Sequence, residues 1–258
     1  MATATEHYEN LLAQNYTWML GGDIDTMAST QTELLRTLGL DTTIGNGTAV
    51  DLGCGPGLQT LALADLGFTS ITAIDSSAIL LQELRNHCTR RGITNTVHTV
   101  HDDLRGLLPH LFTPASIAAI TCMGDTITHL PTKTDVQQLI ADSATALTPN
   151  GSLTITYRDL STERRGADRF IPVRSTPDQI LTCFLDYIDE DTVMVWDILH
   201  TRHGDTWKLD KGSYPKLRLS TQWLVDQFRA NNLHMQHTET TPHGLTVLHA
   251  NHRSAPVG

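Results

Sequence analysis

A glycine-rich loop between a predicted strand and a predicted helix has the residues best suited to binding a ligand. Residues 50–57 read V-D-L-G-C-G-P-G, with Gly53, Gly55 and Gly57 at alternate positions. Glycine lets the backbone turn tightly and approach a ligand where a Cβ would clash. The spacing fits neither a dinucleotide fingerprint, because position 58 is Leu, nor a phosphate loop, because no Lys follows. Asp51 would repel a pyrophosphate and instead favours a ligand that is positively charged nearby.

Two further acidic positions follow predicted strands. Asp75 ends the second strand, 24 residues after Asp51, and Asp103 with Leu104 follows the third strand. The predicted strands are 48–52, 70–75, 96–100, 116–122 and 152–157, and the predicted helices are 58–66, 76–91 and 135–147, with residues 149–151 as a stop signal.

The alternation of strands and helices ends near residue 159. Strand-like runs at 169–173, 180–188, 192–201 and 206–209 are separated by turn signals, which predicts an antiparallel meander. Ser220 is a good N-cap for a helix to about residue 233. Strands at 235–241 and 245–251 would then form an edge hairpin around residues 242–244.

These elements predict an α/β fold: a doubly wound, mostly parallel, seven-stranded Rossmann-like sheet with an antiparallel β insertion after strand 5. We expect a single domain over 1–258. Its parts would be an N-terminal lid (1–30), an α/β core (31–160 and 220–251) and a β insertion that covers the substrate (161–219).

Composition excludes several classes of protein. The chain has 258 residues and a formal net charge of −10, which argues against nucleic acid or an anionic membrane surface as a partner. No apolar run reaches the roughly 20 residues of a membrane span, and no leader peptide is visible. The four cysteines lack a CxxC spacing, and the paired histidines lie three apart in predicted strands, facing opposite sides. We therefore expect a cytoplasmic protein without a metal site, and we leave self-association open.

The glycine loop and its acidic partners resemble class I S-adenosylmethionine-dependent methyltransferases. The resemblance implies S-adenosylmethionine as cofactor, with the loop under its methionine part and Asp51 near its amino group. It also implies that Asp75 binds both ribose hydroxyls and that Asp103 and Leu104 hold the adenine. The full expected cofactor-binding set is Tyr16, Asp51, Gly53, Gly55, Gly57, Asp75, Ser76, Asp103, Leu104 and Met123.

Three later segments resemble glycine and sarcosine N-methyltransferases. They are residues 122–130 (C-M-G-D-T-I-T-H-L), 155–160 (I-T-Y-R-D-L) and 213–217 (S-Y-P-K-L). The resemblance implies that Arg158 binds a substrate carboxylate, unless it only pairs with Asp159 or Glu163. Position 160 is Leu where that family has a tyrosine.

The same resemblance assigns roles to three more residues. Tyr214 falls on a substrate-side tyrosine of the family, with a core aromatic as the alternative. Asp125 replaces the family's asparagine, and a carboxylate there could attract an ammonium group or accept its proton. His129 matches a residue whose role in the family is mainly structural. The expected catalytic residues are Asp125, Arg158 and Tyr214, and the expected substrate-binding residues are Trp18, His129, Arg158, Arg174 and Tyr214.

Two regions outside these motifs could shape substrate choice. Basic residues of the insertion either face an acidic substrate group or form a solvated sheet face; they are Arg169, Arg174, Lys216 and Arg218. The apolar N-terminal residues either form a helix packed on the core or a lid in which Tyr16 or Trp18 faces the sulfonium.

The function that we expect is methylation of a small molecule, with N-methylation of an amine or amino acid by in-line methyl transfer favoured. O- or S-methylation of a small acid or natural-product intermediate is the alternative among enzymes. A protein that binds S-adenosylmethionine without catalysis, as a sensor or partner, is the alternative of another class.

Overall fold

The computed structural model describes residues 3–40, 47–242 and 244–252, which form two sheets. The larger sheet has seven strands in the order β10-β11-β5-β4-β1-β2-β3. Strands β1 to β5 are parallel neighbours, whereas β11 runs antiparallel to β5 and β10 antiparallel to β11. These strands are β1 Thr48–Leu52, β2 Ser70–Asp75, β3 Val97–His101, β4 Ile117–Cys122, β5 Leu147–Tyr157, β10 Leu233–Thr240 and β11 Thr246–His252. The predicted doubly wound sheet is confirmed.

The second sheet contains the antiparallel insertion that the sequence predicts after β5. Its order is β6-β7-β8-β9, and every neighbouring pair is antiparallel. The strands are β6 Phe170–Ser175, β7 Gln179–Tyr187, β8 Thr192–His203 and β9 Thr206–Leu217. Strand β9 extends well beyond the predicted end at residue 209 and includes Pro215. Proline is tolerated there because β9 is an edge strand whose other side has no ladder to lose.

Helices cover both faces of the large sheet, and most begin at a side-chain cap. Ser77 and Ser220 cap α5 and α8, and Thr132 forms a capping box with Asp135 at α7. The α-helices are α1 Ala4–His7, α2 Tyr16–Leu20, α3 Ile24–Thr37, α4 Leu58–Asp65, α5 Ala78–Arg91, α6 Leu108–Leu111, α7 Lys133–Ala146 and α8 Thr221–Ala230. A π-helical turn Tyr8–Leu12 and a 3-10 turn Ala13–Asn15 join α1 to α2.

The end of the helix before β5 also differs from its prediction. Residues 149–151 were expected to end a helix, but α7 already ends at Ala146 and β5 begins at Leu147. The turn residues lie inside β5, where the register against β4 shifts from Ile117 opposite Leu147 to Ala119 opposite Ser152. The Pro-Asn-Gly sequence therefore produces a bulge in the strand, with Asn150 at a φ of 67°.

The hydrophobic core has three parts. Two clusters fill the space around the large sheet and its helices. A third cluster joins the N-terminal segment (residues 3–20) to the inner face of the insertion, through Leu12, Val193, Val195 and Tyr214. The N-terminal segment therefore packs against the insertion as well as against the core. Among the helices in the described part of the chain, none is long and apolar enough to cross a membrane.

Candidate functional site

A cavity of about 450 Å³ lies between the glycine loop, the N-terminal segment and β9. This is the edge where β1, β2 and β4 end, beside the point at which the strand order reverses, and such crevices bind ligands in open α/β sheets. We call its two parts the loop end (Gly53, Gly55, Asp75, Asp103 and Leu104) and the ring end (Tyr8, His129 and Lys216). The cavity is also lined by Thr3, Ala4, Thr5, Tyr16, Ser76, Ser77, Leu80, Arg105, Gly124, Thr126, Leu130, Pro131, Thr192, Pro215 and Leu217.

The glycines of the loop are required by packing as well as by the cavity. Gly53 and Gly57 have φ angles of 70° and 103°, which side chains rarely adopt. A Cβ on Gly53 would lie 2.3 Å from Cγ2 of Thr126, and one on Gly57 would lie 2.3 Å from Cδ1 of Leu84. Gly53 and Gly55 line the cavity, whereas Gly57 lies where the loop meets α5 and does not.

Asp75 lies at the predicted position, on the cavity wall at the end of β2. Its Oδ2 accepts a hydrogen bond from the Gly55 backbone NH at 2.8 Å, and its Oδ1 accepts one from Ser77 NH at 2.8 Å. Burial raises the pKa of Asp75 above its ordinary value. A carboxylate has about four lone-pair sites, so both oxygens can still accept bonds from ligand hydroxyls.

Asp51 is not on the cavity. Its side chain is buried beneath the loop, where its oxygens accept bonds from the hydroxyls of Thr60 at 2.6 Å and Thr121 at 2.9 Å. Burial raises its pKa to about 6. The predicted position beside a ligand's amino group is therefore corrected: Asp51 supports the loop from below, because its carboxylate points toward the core.

Of the other residues predicted to bind the cofactor, four line the cavity and Met123 does not. Ser76, Asp103, Leu104 and Tyr16 line the cavity, and Asp103 also pairs with Arg105 at 2.6 Å. Burial raises the pKa of Tyr16 to about 12, so its phenol stays neutral near pH 7. Met123 is buried behind the wall, and its carbonyl accepts a bond from Thr126 at 2.9 Å.

At the ring end, Asp125 forms a buried charge cluster with two cations. Its Oδ2 lies 2.7 Å from Nζ of Lys216 and 3.5 Å from Nη1 of Arg158, and its Oδ1 accepts a bond from the Arg158 NH at 2.8 Å. Burial alone would raise the pKa of Asp125, but the charges of Lys216 and Arg158 outweigh burial and hold it well below its usual range. The expectation that Asp125 takes a proton is therefore corrected: it is a structural counter-ion.

Arg158 pairs with neither acid that the sequence offered as its alternative. Asp159 accepts bonds from the backbone and hydroxyl of Thr221 at the start of α8. Glu163 pairs with Arg218 at 3.1 Å. The Arg158 side chain is 53% exposed and does not line the cavity, so only part of its charge is engaged by Asp125.

Four rings pack against one another at the ring end, three of them stacked and the fourth edge-on. His7 stacks on Tyr214 with centroids 4.7 Å apart, and Tyr214 stacks on His129 at 5.5 Å. Tyr8 meets His129 edge-on at 5.5 Å. Tyr214 is buried behind the wall, whereas His129 and Tyr8 line the cavity.

His129 has a free nitrogen in this stack. Its Nε2 is buried and has no hydrogen-bond partner. Burial, reinforced by the charge of Lys216, lowers the pKa of His129 to about 3, so the ring is neutral near pH 7. A neutral imidazole can accept a hydrogen bond from a ligand at this nitrogen.

Three of the four basic residues of the insertion are used elsewhere, which corrects their expected role toward substrate. Arg169 pairs with Asp186, and buried Arg218 bonds Glu163 and backbone carbonyls. Arg174 donates to the carbonyl of Gly21 at 3.0 Å and lies over the ring of Trp18 at 5.7 Å. Neither Trp18 nor Arg174 lines the cavity; the two side chains contact each other beside it.

Sequence reasoning left several wall residues out of the site, among them Lys216, Tyr8 and Thr126. Lys216 was noted only as one of several basic residues, and Tyr8 and Thr126 were not singled out for a role. The signal for Lys216 was the fourth letter of S-Y-P-K-L, within a motif that had already been recognised. Among the described residues, no group of three or more His, Cys, Asp or Glu side chains is arranged to hold a metal ion.

Comparison with known families agrees with this geometry. A family model described as a methyltransferase domain matches residues 49–151, which include the glycine loop, Asp75 and the Asp125–His129 region. The match covers strands β1 to β4 and the start of β5, and excludes the insertion and the last hairpin.

Two curated relatives and one solved structure are similar to the chain. A glycine/sarcosine N-methyltransferase of Aphanothece halophytica is 26% identical over 110 residues, 43% of this chain and 40% of that protein. A ubiquinone biosynthesis O-methyltransferase of Methylococcus capsulatus is 26% identical over 136 residues, 53% of this chain and 54% of that protein. The chain thus matches about half the length of these relatives.

The solved structure is CalS10 bound to S-adenosylmethionine, an amino pentose methyltransferase of Micromonospora echinaspora involved in calicheamicin biosynthesis. It has a TM-score of 0.70 and 14% sequence identity, with 93% of this chain and 95% of that chain covered. At this identity the likeness shows a shared fold that includes the insertion.

Proposed function

We propose that this chain, whose residues 49–151 are a class I S-adenosylmethionine-dependent methyltransferase domain, methylates nitrogen in a small-molecule amine. The observation that carries the choice of nitrogen is the buried, unpartnered Nε2 of neutral His129 on the cavity wall. The ring must turn for this covered nitrogen to accept a hydrogen bond from the methyl acceptor, and it would be only a weak base.

The loop end suits S-adenosylmethionine. The cavity volume of about 450 Å³ is within the usual range for small-molecule sites. Gly53 and Gly55 leave backbone exposed where the methionine part would lie, Asp75 has lone pairs for two ribose hydroxyls, and Asp103 and Leu104 would flank the adenine. When bound, the cofactor supplies an electrophilic methyl group on a positively charged sulfur.

His129 would orient the nucleophile at the ring end. In the tautomer with its hydrogen on Nδ1, its Nε2 accepts a bond from the acceptor's N–H and so aims the nitrogen lone pair. Holding two reacting groups at attack distance is worth about 7–11 kcal/mol of the barrier. Tyr8, Tyr16 and the stacked rings exclude water from the same space.

The weakness of the available bases favours nitrogen over an alcohol oxygen. A neutral amine already has a nucleophilic lone pair, whereas an alcohol must lose a proton as it attacks. Efficient bases have pKa values near the working pH, but the pKa of His129 is lowered to about 3 and that of Asp125 is held well below its usual range. The cations Lys216 and Arg158 also disfavour a protonated amine, so the amine would bind in its neutral form.

Arg158 lies outside the cavity wall, so it would pair with an acidic group of an acceptor that extends beyond the cavity. Its guanidinium is half exposed, and its only ion pair among the described residues is the 3.5 Å contact with Asp125, leaving donors for a carboxylate. This supports an amino acid or an amine with an acidic substituent. The resemblance to glycine and sarcosine N-methyltransferases points the same way, and the glycine/sarcosine relative adds to it.

The test is incubation with methyl-labelled S-adenosylmethionine and a pooled metabolite extract, read by mass spectrometry. We expect label on the nitrogen of a small amine. Once that acceptor is known, His129→Leu should lower its kcat/KM by roughly tenfold or more, as for a lost hydrogen bond to a polar group, with cofactor affinity unchanged within about twofold. His110→Leu, at an exposed histidine on α6, is the matched control.

Other outcomes would identify other functions. Label on oxygen would contradict the argument from the weak bases and favour O-methylation, which is named for the second curated relative. Cofactor binding without any labelled product would favour a sensor or partner protein.

A further inference from the structure

The N-terminal segment is attached to the insertion through one buried polar contact. Nε2 of His7 lies 2.8 Å from Oδ2 of Asp197 on β8, and the two side chains are 3% and 2% exposed. Buried polar groups of this kind are costly when unpartnered, so each depends on the other.

The insertion has a site shaped for this one imidazole. Cys183, Asp197 and Gly212 lie opposite one another on β7, β8 and β9. The Cys183 thiol donates to the other oxygen of Asp197 at 2.8 Å, and Tyr214 stacks on the imidazole face. Gly212 leaves the space for the ring, because a Cβ there would lie 2.7 Å from its Cε1 and Nδ1.

The other side-chain hydrogen bonds of the N-terminal segment attach it to the rest of the chain more weakly. Thr5–Ser76 is exposed, and the bonds from Asn15 to Gln179 and from Thr17 to Glu83 are only partly buried. Water competes for such bonds, so their net contribution is small. Of the side-chain hydrogen bonds that the described structure gives between residues 3–20 and the rest of the chain, His7–Asp197 is the one with both partners buried.

We propose that His7 and Asp197 are positioning residues that hold the N-terminal segment closed over the cavity and so set the rate of cofactor exchange. Neither residue lines the cavity, but Thr3, Ala4, Thr5 and Tyr8, on both sides of His7, do. When the imidazole leaves its site, this wall of the cavity loses its buried polar attachment and keeps only the apolar contacts around Leu12. The segment then opens more often, and a bound cofactor leaves faster.

The experiment compares four variants. Gly212→Ala places a Cβ where the ring lies and displaces it without removing a polar group, and His7→Ala removes the ring. In the double variant the new Cβ has no ring to meet. Ser213→Ala is the matched control, because successive strand residues point to opposite faces and Ser213 faces away from His7.

Two readouts separate this proposal from the proposed function. Amide hydrogen exchange over residues 4–20 is measured in the ligand-free protein and does not depend on any activity. Dissociation of S-adenosylmethionine, measured by stopped flow, rests on the proposed function. We expect both single variants to speed exchange and dissociation by roughly tenfold or more, as for loss of a buried charge-assisted bond. Ser213→Ala should match the wild type.

The double variant gives the decisive comparison. We expect it to match His7→Ala alone, because Gly212→Ala acts only through the imidazole. Additive effects would mean that Gly212→Ala damages the sheet itself, and unchanged exchange in both single variants would mean that other contacts hold the segment; either result overturns the proposal. Faster hydrogen exchange with no measurable cofactor binding in the wild type would instead contradict the proposed function.

Discussion

The loop end and the ring end of the cavity are built in different ways. At the loop end, most contacts involve backbone groups that are close in sequence. Asp75 accepts hydrogen bonds from the amides of Gly55 and Ser77, which are 20 and 2 residues away. At the ring end, side chains far apart in sequence do it: Asp125 meets Lys216 across 91 residues, and His7 meets Asp197 across 190.

Under the proposed function, this difference would separate the residues that bind the cofactor from those that select the acceptor. A site made of local backbone turns is fixed by glycine positions and tolerates change elsewhere in the chain. A site made of buried side-chain pairs depends on every partner, because removing one leaves an uncompensated charge or polar group. Substitutions at the ring end should therefore affect stability as well as ligand choice.

The largest expected effect tests that dependence. Asp125→Ala leaves the nearly buried Lys216 ammonium without its carboxylate and should lower the free energy of unfolding by about 3–5 kcal/mol. Urea denaturation measures this. The matched control is Asp125→Ala combined with Lys216→Met, which removes both charges and should recover much of the loss. Equal stability of the single and double variants would show that the pair is not coupled as described.

A second test concerns the pH dependence of Asp51, which is buried beneath the glycine loop. Burial raises the pKa of Asp51 from 3.8 to about 6, so the folded chain binds this proton more tightly than the unfolded chain. The resulting stabilisation is complete below about pH 4 and is lost as the pH rises through 6. Relative to Asp51→Asn, which cannot titrate, the wild type should lose about 2–3 kcal/mol of unfolding free energy between pH 4 and pH 7. Urea denaturation at both pH values measures this. If the unfolding free energy of the wild type and of Asp51→Asn changed by the same amount between pH 4 and pH 7, that result would contradict a buried, titrating Asp51.

Asp75→Ala tests the loop end as a cofactor site. Loss of charge-assisted bonds to two hydroxyls should weaken S-adenosylmethionine binding by roughly tenfold or more, since such bonds are worth about 1.5–3 kcal/mol each. Isothermal titration calorimetry measures the affinity. Asp168→Ala, at an exposed acid outside the cavity, is the control and should bind as the wild type does. Unchanged affinity in Asp75→Ala would remove the loop end from the cofactor site.

The smallest expected effects are those of Arg158→Ala on stability and cofactor binding. Its ion pair is long and its side chain is half exposed, so the free energy of unfolding should change by less than about 1 kcal/mol. Cofactor affinity should stay within about twofold, while KM for an acidic acceptor rises. An equal loss of cofactor and acceptor binding would mean that the two ends are not separate.

Much of the fold could be predicted because its signals are local. Alternating strands and helices with their caps predict the order of elements, and the turn signals predict the meander. Strand β9 was predicted to end at residue 209, but it continues to Leu217, and its edge position makes Pro215 compatible with the strand. Residues 149–151 were predicted to end a helix, but they lie inside β5. The error arises because bulges and loops favour the same residue types.

The site was predictable to a different degree at each end. Asp75, Gly53, Gly55 and Asp103 lie on the cavity because the loops that follow parallel strands all lie at the carboxyl edge of the sheet. Trp18 and Arg174 were expected on the cavity because of their chemistry, but they contact each other beside it. Residue type alone does not show which partner a side chain will find.

The sequence by itself determined the α/β class of the fold and the position of the glycine loop, because both depend on backbone patterns within short stretches of chain. Only the tertiary structure decided that Asp125 is a counter-ion, that His129 keeps a free nitrogen and that His7 reaches Asp197. These contacts join segments that come together when the insertion and the N-terminal segment pack against each other. Burial keeps His129 neutral near pH 7, whereas the charges of Lys216 and Arg158 keep Asp125 ionised.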